Sequence, residues 1–244
     1  MTTKKAVTIR DVAREAGVSP GTVSRVINRS PLVNKETRKR VLDVIETLNY
    51  TPNLIAQRLS LGRTLIIAVL VPFFTRPSVA ERLNGVVSVL SQSQYDLLIH
   101  NIETPEQRAD CFKTVPHQKQ ADGLLIISLV PTDEETAELT QADIPIVLID
   151  AEHPDLTDLH WVTADDVAGG RTATEYLIEL GHTRIGFIGD IIDNPFNFTS
   201  SRDRFLGYRK ALENAGIRWR PAYYAEDQHG RPEARRMAQQ MLAL

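Results

Sequence analysis

Residues 8–28, TIRDVAREAGVSPGTVSRVIN, contain the most informative pattern in the N-terminal part of this chain. Thr8 precedes an apolar stripe with helical spacing, and Gly17 follows that stripe as a left-handed C-cap. The stripe consists of Ile9, Val12, Ala13 and Ala16. Ser19 then caps a second helix whose first position is Pro20. The stretch is therefore predicted to form two short helices joined by a tight turn.

The two faces of the second helix differ in chemistry. Val23, Val26 and Ile27 are apolar and are predicted to be buried. The opposite face carries small residues, hydroxyls, an amide and a guanidinium: Gly21, Thr22, Ser24, Arg25 and Asn28. Such a face suits the edge of a DNA groove, which indicates a helix-turn-helix with the second helix as reader. Glycine turns and hydroxyl caps are common, so this stretch alone is equally compatible with an ordinary helical corner.

The charge of the chain is unevenly distributed. Its net charge is −3, but residues 1–63 contain 12 Lys and Arg against 5 Asp and Glu, whereas the rest contains 16 against 26. A basic segment attached to an acidic body indicates a polyanion-binding module joined to a part that does not bind polyanions. The length of 244 residues suggests about two domains.

Several function classes find no support in the sequence. Cys111 is the one cysteine, which excludes a disulfide framework and a cysteine-based metal site. The six histidines are scattered, and no zinc-protease, nucleophile-elbow, Walker or dinucleotide-binding motif is present. We therefore expect no catalysis, no metal and no cofactor. Without a leader or an apolar run of membrane-spanning length, a cytoplasmic protein with no membrane partner is expected.

A third helix and a short segment follow the reader helix. Asn34 can cap a helix over residues 35–48, in which Val41, Leu42, Ile45 and Leu48 are predicted to form the third wall of a small core. Its basic residues are Lys35, Arg38, Lys39 and Arg40, of which some are expected to touch phosphate and most to be solvated. From Pro52 to Leu59 the pattern is helical but only about two turns long, and helices this short are marginal in water. This segment is predicted to fold only against a partner.

From residue 65 the periodicity changes. Short β-branched runs at 65–71, 95–99, 122–127 and 144–149 alternate with helical patterns at 78–93, 105–119 and 133–142. This alternation predicts a parallel sheet with helices on both faces. A second half is expected to contain strands at 161–164, 184–189 and 222–224, and helices at 166–180, at 203–215 and from 231.

Three motifs in order give the chain a specific resemblance. The runs T-I-x-D-V-A-x-x-A-G-V-S, T-V-S-R-V-I-N and Tyr50-x-Pro52-Asn53-x-x-Ala56-x-x-Leu59 resemble the head and hinge helix of the lactose-repressor/galactose-repressor (LacI/GalR) family. Two later motifs, L-G-H-x-x-I-x-x-I-G and S-R-x-R-x-x-G-Y, are similar to that family's second subdomain. The chain departs from the family pattern at Asp165-Asp166 and at residues 72–76, PFFTR.

The resemblance implies an all-α helix-turn-helix head plus a periplasmic-binding-protein-like α/β core with two parallel-sheet lobes, the second incomplete. The implied segments are a DNA-binding head (1–50), a hinge helix and linker (51–64), a first lobe of the effector-binding core (65–163) and a partial second lobe (164–244). The final helix carries Met237, Met241, Leu242 and Leu244, and no strand follows for them to cover. We therefore expect a truncated member of the family with a loose second lobe and weak or absent effector binding.

The resemblance also implies which residues contact DNA. The positions that match backbone contacts are Thr8, Ser19, Thr22, Ser24, Asn28, Tyr50 and Asn53. The positions that match base-reading contacts in the major groove are Pro20, Gly21 and Arg25. Leu59 matches a leucine that wedges into the central base step, with Ala56 beside it, when two hinge helices pair in the minor groove. Because Pro20 and Gly21 offer almost no side chain, Arg25 is predicted to be the main direct reader.

A ligand site is expected where ligands bind in open α/β sheets, at the carboxyl ends of the strands. The candidates there are Phe73, Phe74, Arg76, Asn101, Ser128, Asp150, Phe196, Phe198 and Arg204. An aromatic ring, a carboxylate and a guanidinium together suit a sugar, and the resemblance implies that Asp150 and Arg204 contact the effector. Core packing is an equal alternative for Phe73, and Asp150 could instead cap a turn.

The prediction is a dimeric, effector-responsive transcription regulator, a repressor, that binds palindromic operator DNA. Two alternatives stay open. The chain could be a DNA-binding fragment with no working effector sensor, or an enzyme of the same α/β architecture that carries a DNA-binding head. A screen of sugars and nucleosides separates the first two, and turnover of a bound compound would favour the third.

Overall fold

The computed structural model describes residues 7–52 and 62–244. The chain divides into two compact units, Met1–Thr64 and Leu65–Leu244. The first unit contains helices α1 (Ile9–Glu15), α2 (Pro20–Ile27) and α3 (Lys35–Thr47). Three predicted DNA contacts of the hinge, Asn53, Ala56 and Leu59, lie outside the described residues.

The turn between α1 and α2 is fixed by local hydrogen bonds. Gly17 has a φ of 62°, and the N–H of Val18 donates to the Ala13 carbonyl at 3.0 Å, which closes the end of α1. Ser19 caps α2 by accepting from the Thr22 N–H at 3.1 Å. At Thr8 the predicted capping box with Asp11 is present: the Asp11 carboxylate accepts from the Thr8 N–H at 3.0 Å and from the Thr8 hydroxyl at 2.7 Å.

The core of the first unit comes from all three helices. Its fully buried residues are Val12, Ala13, Ala16, Val23, Val26 and Val41. The prediction for Leu42 is wrong, because its side chain is 47% exposed and Val44 packs in its place. On a helix, Val41, Val44, Ile45 and Leu48 follow the i, i+3, i+4, i+7 spacing of one face, and Leu42 lies off that face.

The second unit contains a five-stranded parallel sheet with strand order β2-β1-β3-β4-β5. The strands are β1 (Ile66–Pro72), β2 (Asp96–Ile102), β3 (Gly123–Ile127), β4 (Ile146–Ile149) and β5 (His160–Val162). The intervening helices are α4 (Pro77–Leu90), α5 (Pro105–Thr114) and α6 (Asp133–Thr140), and a 3-10 turn spans Val115–His117. One prediction is corrected: the strand expected at 161–164 in the second half pairs with β4, with Leu148 opposite Trp161.

Both faces of the central strands of this sheet are buried, as expected for parallel strands, whereas every residue of the edge strand β5 is exposed. Leu70, Ile126 and Leu148 point to one face and pack with residues of α5 and α6. Val69, Val71 and Ile127 point to the other face and pack with Val79 and Leu83 of α4. Because β1, β3 and β4 are covered on both sides, the groups that these strands can present to a ligand lie at their ends.

The second lobe contains a two-stranded parallel sheet, β6 (Phe187–Asp190) and β7 (Tyr224–Asp227). Its helices are α7 (Asp166–Glu179), α8 (Ser200–Asn214) and α9 (Arg231–Leu242). The strand predicted at 222–224 begins at Tyr224, because residues Pro221–Tyr223 form a 3-10 turn. The predicted fold class is confirmed: a helical head precedes an α/β core whose second sheet is partial. None of the described helices combines the length and apolarity that a bilayer crossing requires.

Helices α7 and α8 approach each other through glycine. A Cβ atom on Gly207 of α8 would overlap the Val167 carbonyl oxygen of α7. In the same way, a Cβ on Gly170 would overlap the carbonyl oxygen of Arg204. The close approach places the start of α7 beside the arginine of α8, which positions part of the candidate site.

Candidate functional site

The exposed face of α2 carries the residues predicted to read DNA. Val23 and Val26 are buried beneath it, whereas Pro20, Gly21 and Arg25 are exposed. The Arg25 side chain makes no hydrogen bond or ion pair with any other described residue. A guanidinium in this position is available to donate two hydrogen bonds to a guanine.

The predicted backbone contacts gather around the same helix. Ser19 and Thr22 lie at its N-terminal end with their hydroxyl oxygens 3.0 Å apart, a helix end that favours a phosphate. Ser24 is half-buried and Asn28 follows the last turn, where both can be reached from outside. Tyr50 instead packs partly against the core of the head.

The start of α1 carries a fixed carboxylate. Asp11 accepts from the Thr8 hydroxyl at 2.7 Å and from the Thr8 N–H at 3.0 Å, and its other oxygen accepts from Arg14 at 2.8 Å. The hydrogen bond from the Thr8 hydroxyl is the main reason that the pKa of Asp11 lies below its usual value. Thr8, predicted to contact the DNA backbone, is thus held at the exposed start of α1.

In the second unit, a cleft of about 910 Å³ lies at the carboxyl ends of the strands. Its volume is within the range of small-molecule sites. Five of the predicted effector residues line it: Arg76, Ser128, Asp150, Phe198 and Arg204. Four others do not: Phe73, Phe74, Asn101 and Phe196.

Three neighbouring strands end in a residue with left-handed backbone. Phe73, Ser128 and Asp150 directly follow β1, β3 and β4, with φ values of 46°, 56° and 56°. The N–H of Ser128 still donates to the Ile149 carbonyl at 2.8 Å, so the strand ladder continues into the bend. The left-handed conformation costs a residue other than glycine about 1–2 kcal/mol and is concentrated at functional sites. Here it turns the Ser128 and Asp150 side chains into the cleft.

Asp150 is held by two donors at one of its oxygens. Its Oδ2 accepts from Arg82 Nη2 at 2.6 Å and from Ser128 Oγ at 2.9 Å. Among the described residues no donor reaches Oδ1, so that oxygen is left for a ligand hydroxyl. Sequence reasoning missed Arg82, although its place in the first two turns of the helix after β1 was a usable signal.

Arg204 is held in the same manner from the second lobe. Its Nε donates to Asp166 Oδ1 at 2.7 Å, and Asp165 caps α7 by accepting from the Ala168 N–H at 2.7 Å. The two adjacent acids therefore have different tasks, which the sequence did not reveal. The arginine is held through Nε, its side chain lines the cleft, and no acceptor among the described residues reaches its two terminal nitrogens.

The aromatic candidates divide between the core and the cleft. Phe196 is only 8% exposed and belongs to the core of the first lobe, against which Phe73 packs. Their ring centroids are 5.0 Å apart in an edge contact, and Phe198 stacks on Phe196 at 5.4 Å. Phe198 is the one of these rings that also lines the cleft.

Phe74 and Asn101 form a hydrogen-bonded turn beside the sheet. Asn101 Oδ1 accepts from the Phe74 N–H at 3.0 Å, and its Nδ2 donates to Glu103 at 2.8 Å. These bonds engage both ends of the Asn101 amide, the oxygen with the backbone of Phe74 and the nitrogen with the side chain of Glu103. The candidate ligand site therefore consists of the five predicted residues that line the cleft.

One group of metal-binding residue types lies near the cleft: Asp133, His153 and Asp155. The ring Nδ1 of His153 accepts from the Asp155 N–H at 3.2 Å, and its Nε2 lies 3.5 Å from a carboxylate oxygen of Asp133. The geometry is that of a hydrogen-bonded cluster.

Comparison with known proteins shows which family both parts of the chain resemble. Residues 8–53 match the model of bacterial regulatory proteins of the lacI family. Residues 64–244 match the model of periplasmic binding proteins and the sugar binding domain of the LacI family. The two matches cover the head and the α/β core in the order found here.

Individual relatives agree. The chain is 36% identical over 216 residues to the HTH-type transcriptional regulator RegA of Clostridium saccharobutylicum, covering 88% of this chain and 64% of that protein. It is also 36% identical over 212 residues to the ribose operon repressor of Escherichia coli K12, covering 86% of this chain and 62% of that one. The chain thus spans less than two thirds of the length of these relatives. The lac repressor bound to ONPG in its repressed state superposes with a TM-score of 0.82 at 26% identity, over 98% of this chain and 71% of the other.

Proposed function

Because the chain belongs to the LacI family of bacterial regulatory proteins, we propose that it is a transcriptional repressor that binds a palindromic operator as a homodimer and responds to a small, sugar-like effector. The relatives named above are regulators, and we propose a regulatory role and not a catalytic one. We further propose that it acts in the bacterial cytoplasm at the nucleoid, where a repressor would meet its operator DNA.

The observation that carries this proposal is the exposed polar face of α2, which is supported by a buried apolar face. The basic excess of residues 1–63 supplies the nonspecific attraction to phosphate, which weakens as salt rises. Arg25, which no other described residue engages, supplies direct readout. Ser19 and Thr22 supply phosphate contacts at the helix end.

The first test concerns Arg25. Arg25→Ala is expected to lose about 1–3 kcal/mol of operator affinity and to relax specificity at one symmetric base position, because a bidentate base contact is removed. Operators selected from random DNA and titrated by fluorescence anisotropy give both values.

Arg40→Ala is the matched control for this test. Arg40 is exposed on α3, and its loss should weaken binding equally for all sequences and reduce the salt dependence. If Arg25→Ala keeps the wild-type ratio of specific to random affinity, Arg25 does not read a base.

The cleft supports the effector half of the proposal. The open Oδ1 of Asp150 accepts from a ligand hydroxyl, while Arg204 donates from the opposite lobe. Phe198 offers a ring on which a sugar can stack. A ligand held by both lobes can stabilise one arrangement of the core over another, which is what a response to an effector requires.

The second test separates the two halves of the proposal. A thermal-shift screen of sugars and nucleosides first identifies a ligand. Asp150→Asn is then expected to weaken that ligand about 10- to 100-fold, because a charge-assisted hydrogen bond is lost. Operator affinity without ligand should not change, because the bases are read by residues of the head.

Asp143→Asn is the control, since this acid is exposed in the same lobe and does not line the cleft. Equal loss of ligand affinity in both variants would refute the role of Asp150. If operator is bound but no compound shifts the melting temperature, the alternative of a DNA-binding fragment without a working sensor is favoured.

A further inference from the structure

We propose that the cleft contains an anion-binding subsite centred on Arg76, and that the effector therefore carries a phosphate or a carboxylate group. This inference rests on the proposed function, because it specifies the chemical class of effector that the same cleft takes. It goes beyond a neutral sugar, which would need only hydroxyl partners.

Arg76 is held in the cleft by aromatic rings. Its guanidinium carbon lies 4.0 Å from the ring centroid of Phe73 and 5.8 Å from that of Phe198. Stacking of this kind uses the flat face of the guanidinium and leaves the N–H donors at its edge. Phe73 belongs to the first lobe and Phe198 follows β6 of the second, so the group is fixed where the two lobes meet.

The other arginines of the cleft are already paired. Arg82 contacts Asp150 at 2.6 Å, Arg202 contacts Asp203 at 2.9 Å and Arg204 contacts Asp166 at 2.7 Å. Within residues 7–52 and 62–244, Arg76 has no ion pair and no side-chain hydrogen bond. None of its five N–H donors therefore has an acceptor among the described residues.

The Arg76 guanidinium is also partly shielded from water, which makes its positive charge less favourable. Burial lowers the pKa of Arg76, and attraction to Asp190 opposes that shift. Asp190 is itself hydrogen-bonded to His229 Nδ1 at 3.0 Å. A ligand anion would restore to the guanidinium the hydrogen bonds that it lost with water.

A neutral ligand would match this arrangement less well. The hydroxyls of a sugar bound against Phe198 can accept from the donors of Arg76, but they bring no negative charge to the partly buried guanidinium. They also lack the paired oxygens with which a carboxylate or a phosphate accepts two parallel hydrogen bonds from arginine. The cleft therefore favours a ligand with an acidic group at this end and hydroxyls toward Asp150.

Two helix ends reinforce the preference. Helices α4 and α8 both begin at the cleft, and neither has a side-chain cap. Helix α4 has no acidic residue in its first turn, and the Asp203 of α8 is paired with Arg202. The positive ends of both helices add to the field of Arg76, and the hydroxyls of Ser78, Thr199 and Ser200 line the same region.

The experiment compares neutral sugars with their anionic counterparts on the full chain, by calorimetry in phosphate-free buffer. The pairs are glucose with glucose 6-phosphate, ribose with ribose 5-phosphate, and glucose with gluconate, and inorganic phosphate is the minimal probe. At least one anion is expected to bind about 10- to 100-fold more tightly than its neutral partner, and Arg76→Met is expected to abolish that ratio. A phosphate ester and a carboxylate are distinguished by which pair shows the preference.

Arg235→Met is the matched control, because Arg235 is exposed on α9, outside the cleft, and the variant removes the same charge. It should keep the wild-type ratio. The inference is overturned if every anion binds no better than its neutral partner, or if the preference survives in Arg76→Met.

Operator binding, measured in parallel, separates this inference from the proposed function. If neutral sugars bind the cleft and change operator affinity while anions do not, the subsite is refuted and the function stands. If no operator is bound by the wild type, the proposed function fails whatever the cleft binds.

Discussion

Gly207→Ala is expected to destabilise the second lobe by about 3 kcal/mol or more, because the new methyl group would overlap the Val167 carbonyl oxygen. Backbone cannot move aside as a flexible side chain can, so helices α7 and α8 must separate. Separation also shifts Arg204 of α8 away from Asp166 of α7, and effector binding should weaken with stability. Amide hydrogen exchange over residues 164–244 reports the loss locally.

Gly169→Ala supplies the control on the neighbouring helix. Gly169 lies within α7 and nothing lies within 4 Å of a Cβ placed there. Alanine at this position should stabilise by about 0.5–1 kcal/mol through helix propensity alone. Equal protection of the lobe in the two variants would show that α7 and α8 do not pack as closely as described.

Glu135→Gln is expected to destabilise the first lobe by about 3 kcal/mol, because it leaves the buried Arg108 without a counter-charge. Arg108 is 5% exposed and donates to Glu135 through Nε at 2.7 Å and Nη2 at 2.6 Å. Glutamine can keep the hydrogen bond that Glu135 accepts from the Thr132 N–H at the start of α6. The loss therefore reports the ion pair and not the helix cap.

Loss of the ion pair between Arg108 and Glu135 is also expected to affect the cleft. Arg108 Nη2 also donates to the Val130 carbonyl at 2.7 Å, and Asn197 Nδ2 donates to the same oxygen at 3.0 Å. Val130 and Asn197 both line the cleft and come from different lobes. Effector affinity should fall together with the protection of β1 and β3 from amide exchange.

A double variant sharpens this prediction. Arg108→Met combined with Glu135→Gln removes the buried charge, and most of the lost free energy of unfolding should return. Glu138→Gln is the control, since that half-exposed residue of α6 pairs with His117 at 2.9 Å and should change stability by less than about 1 kcal/mol. A double variant no more stable than Glu135→Gln would contradict the account.

Local features of the chain were predictable because their causes are local. The turn at Gly17 and the cap at Ser19 depend on residues no more than a few positions away. The alternation of β-branched runs with helical patterns likewise gave the parallel core, because periods of 2 and 3.6 residues decide which element forms. Once the strands are known, the candidates at their carboxyl ends follow, because parallel strands end at the same edge of a sheet. Ser128 and Asp150 meet in the cleft for that reason.

The errors of prediction arose where the position of a residue in the packed structure, and not its side-chain type, decides its exposure and its contacts. Leu42 has an apolar side chain, but its angular position on α3 and not its chemistry decides exposure. The strand at His160–Val162 has every residue exposed, and its sequence does not show that it pairs with β4. Phe73 and Phe196 are as aromatic as Phe198, yet their packing in the core separates them from the cleft.

The elements, their order and the polar face of α2 could be predicted from the residues alone. The pairing of side chains could not: Arg82 contacts Asp150, 68 positions away, and Arg204 contacts Asp166. Arg76 lies against two aromatic rings and has no ion pair with any residue that the structure describes. Propensity and capping act over one helical turn, whereas an ion pair across a sheet depends on the path of every element between its members. Charge pairing in the cleft is therefore a property of the fold.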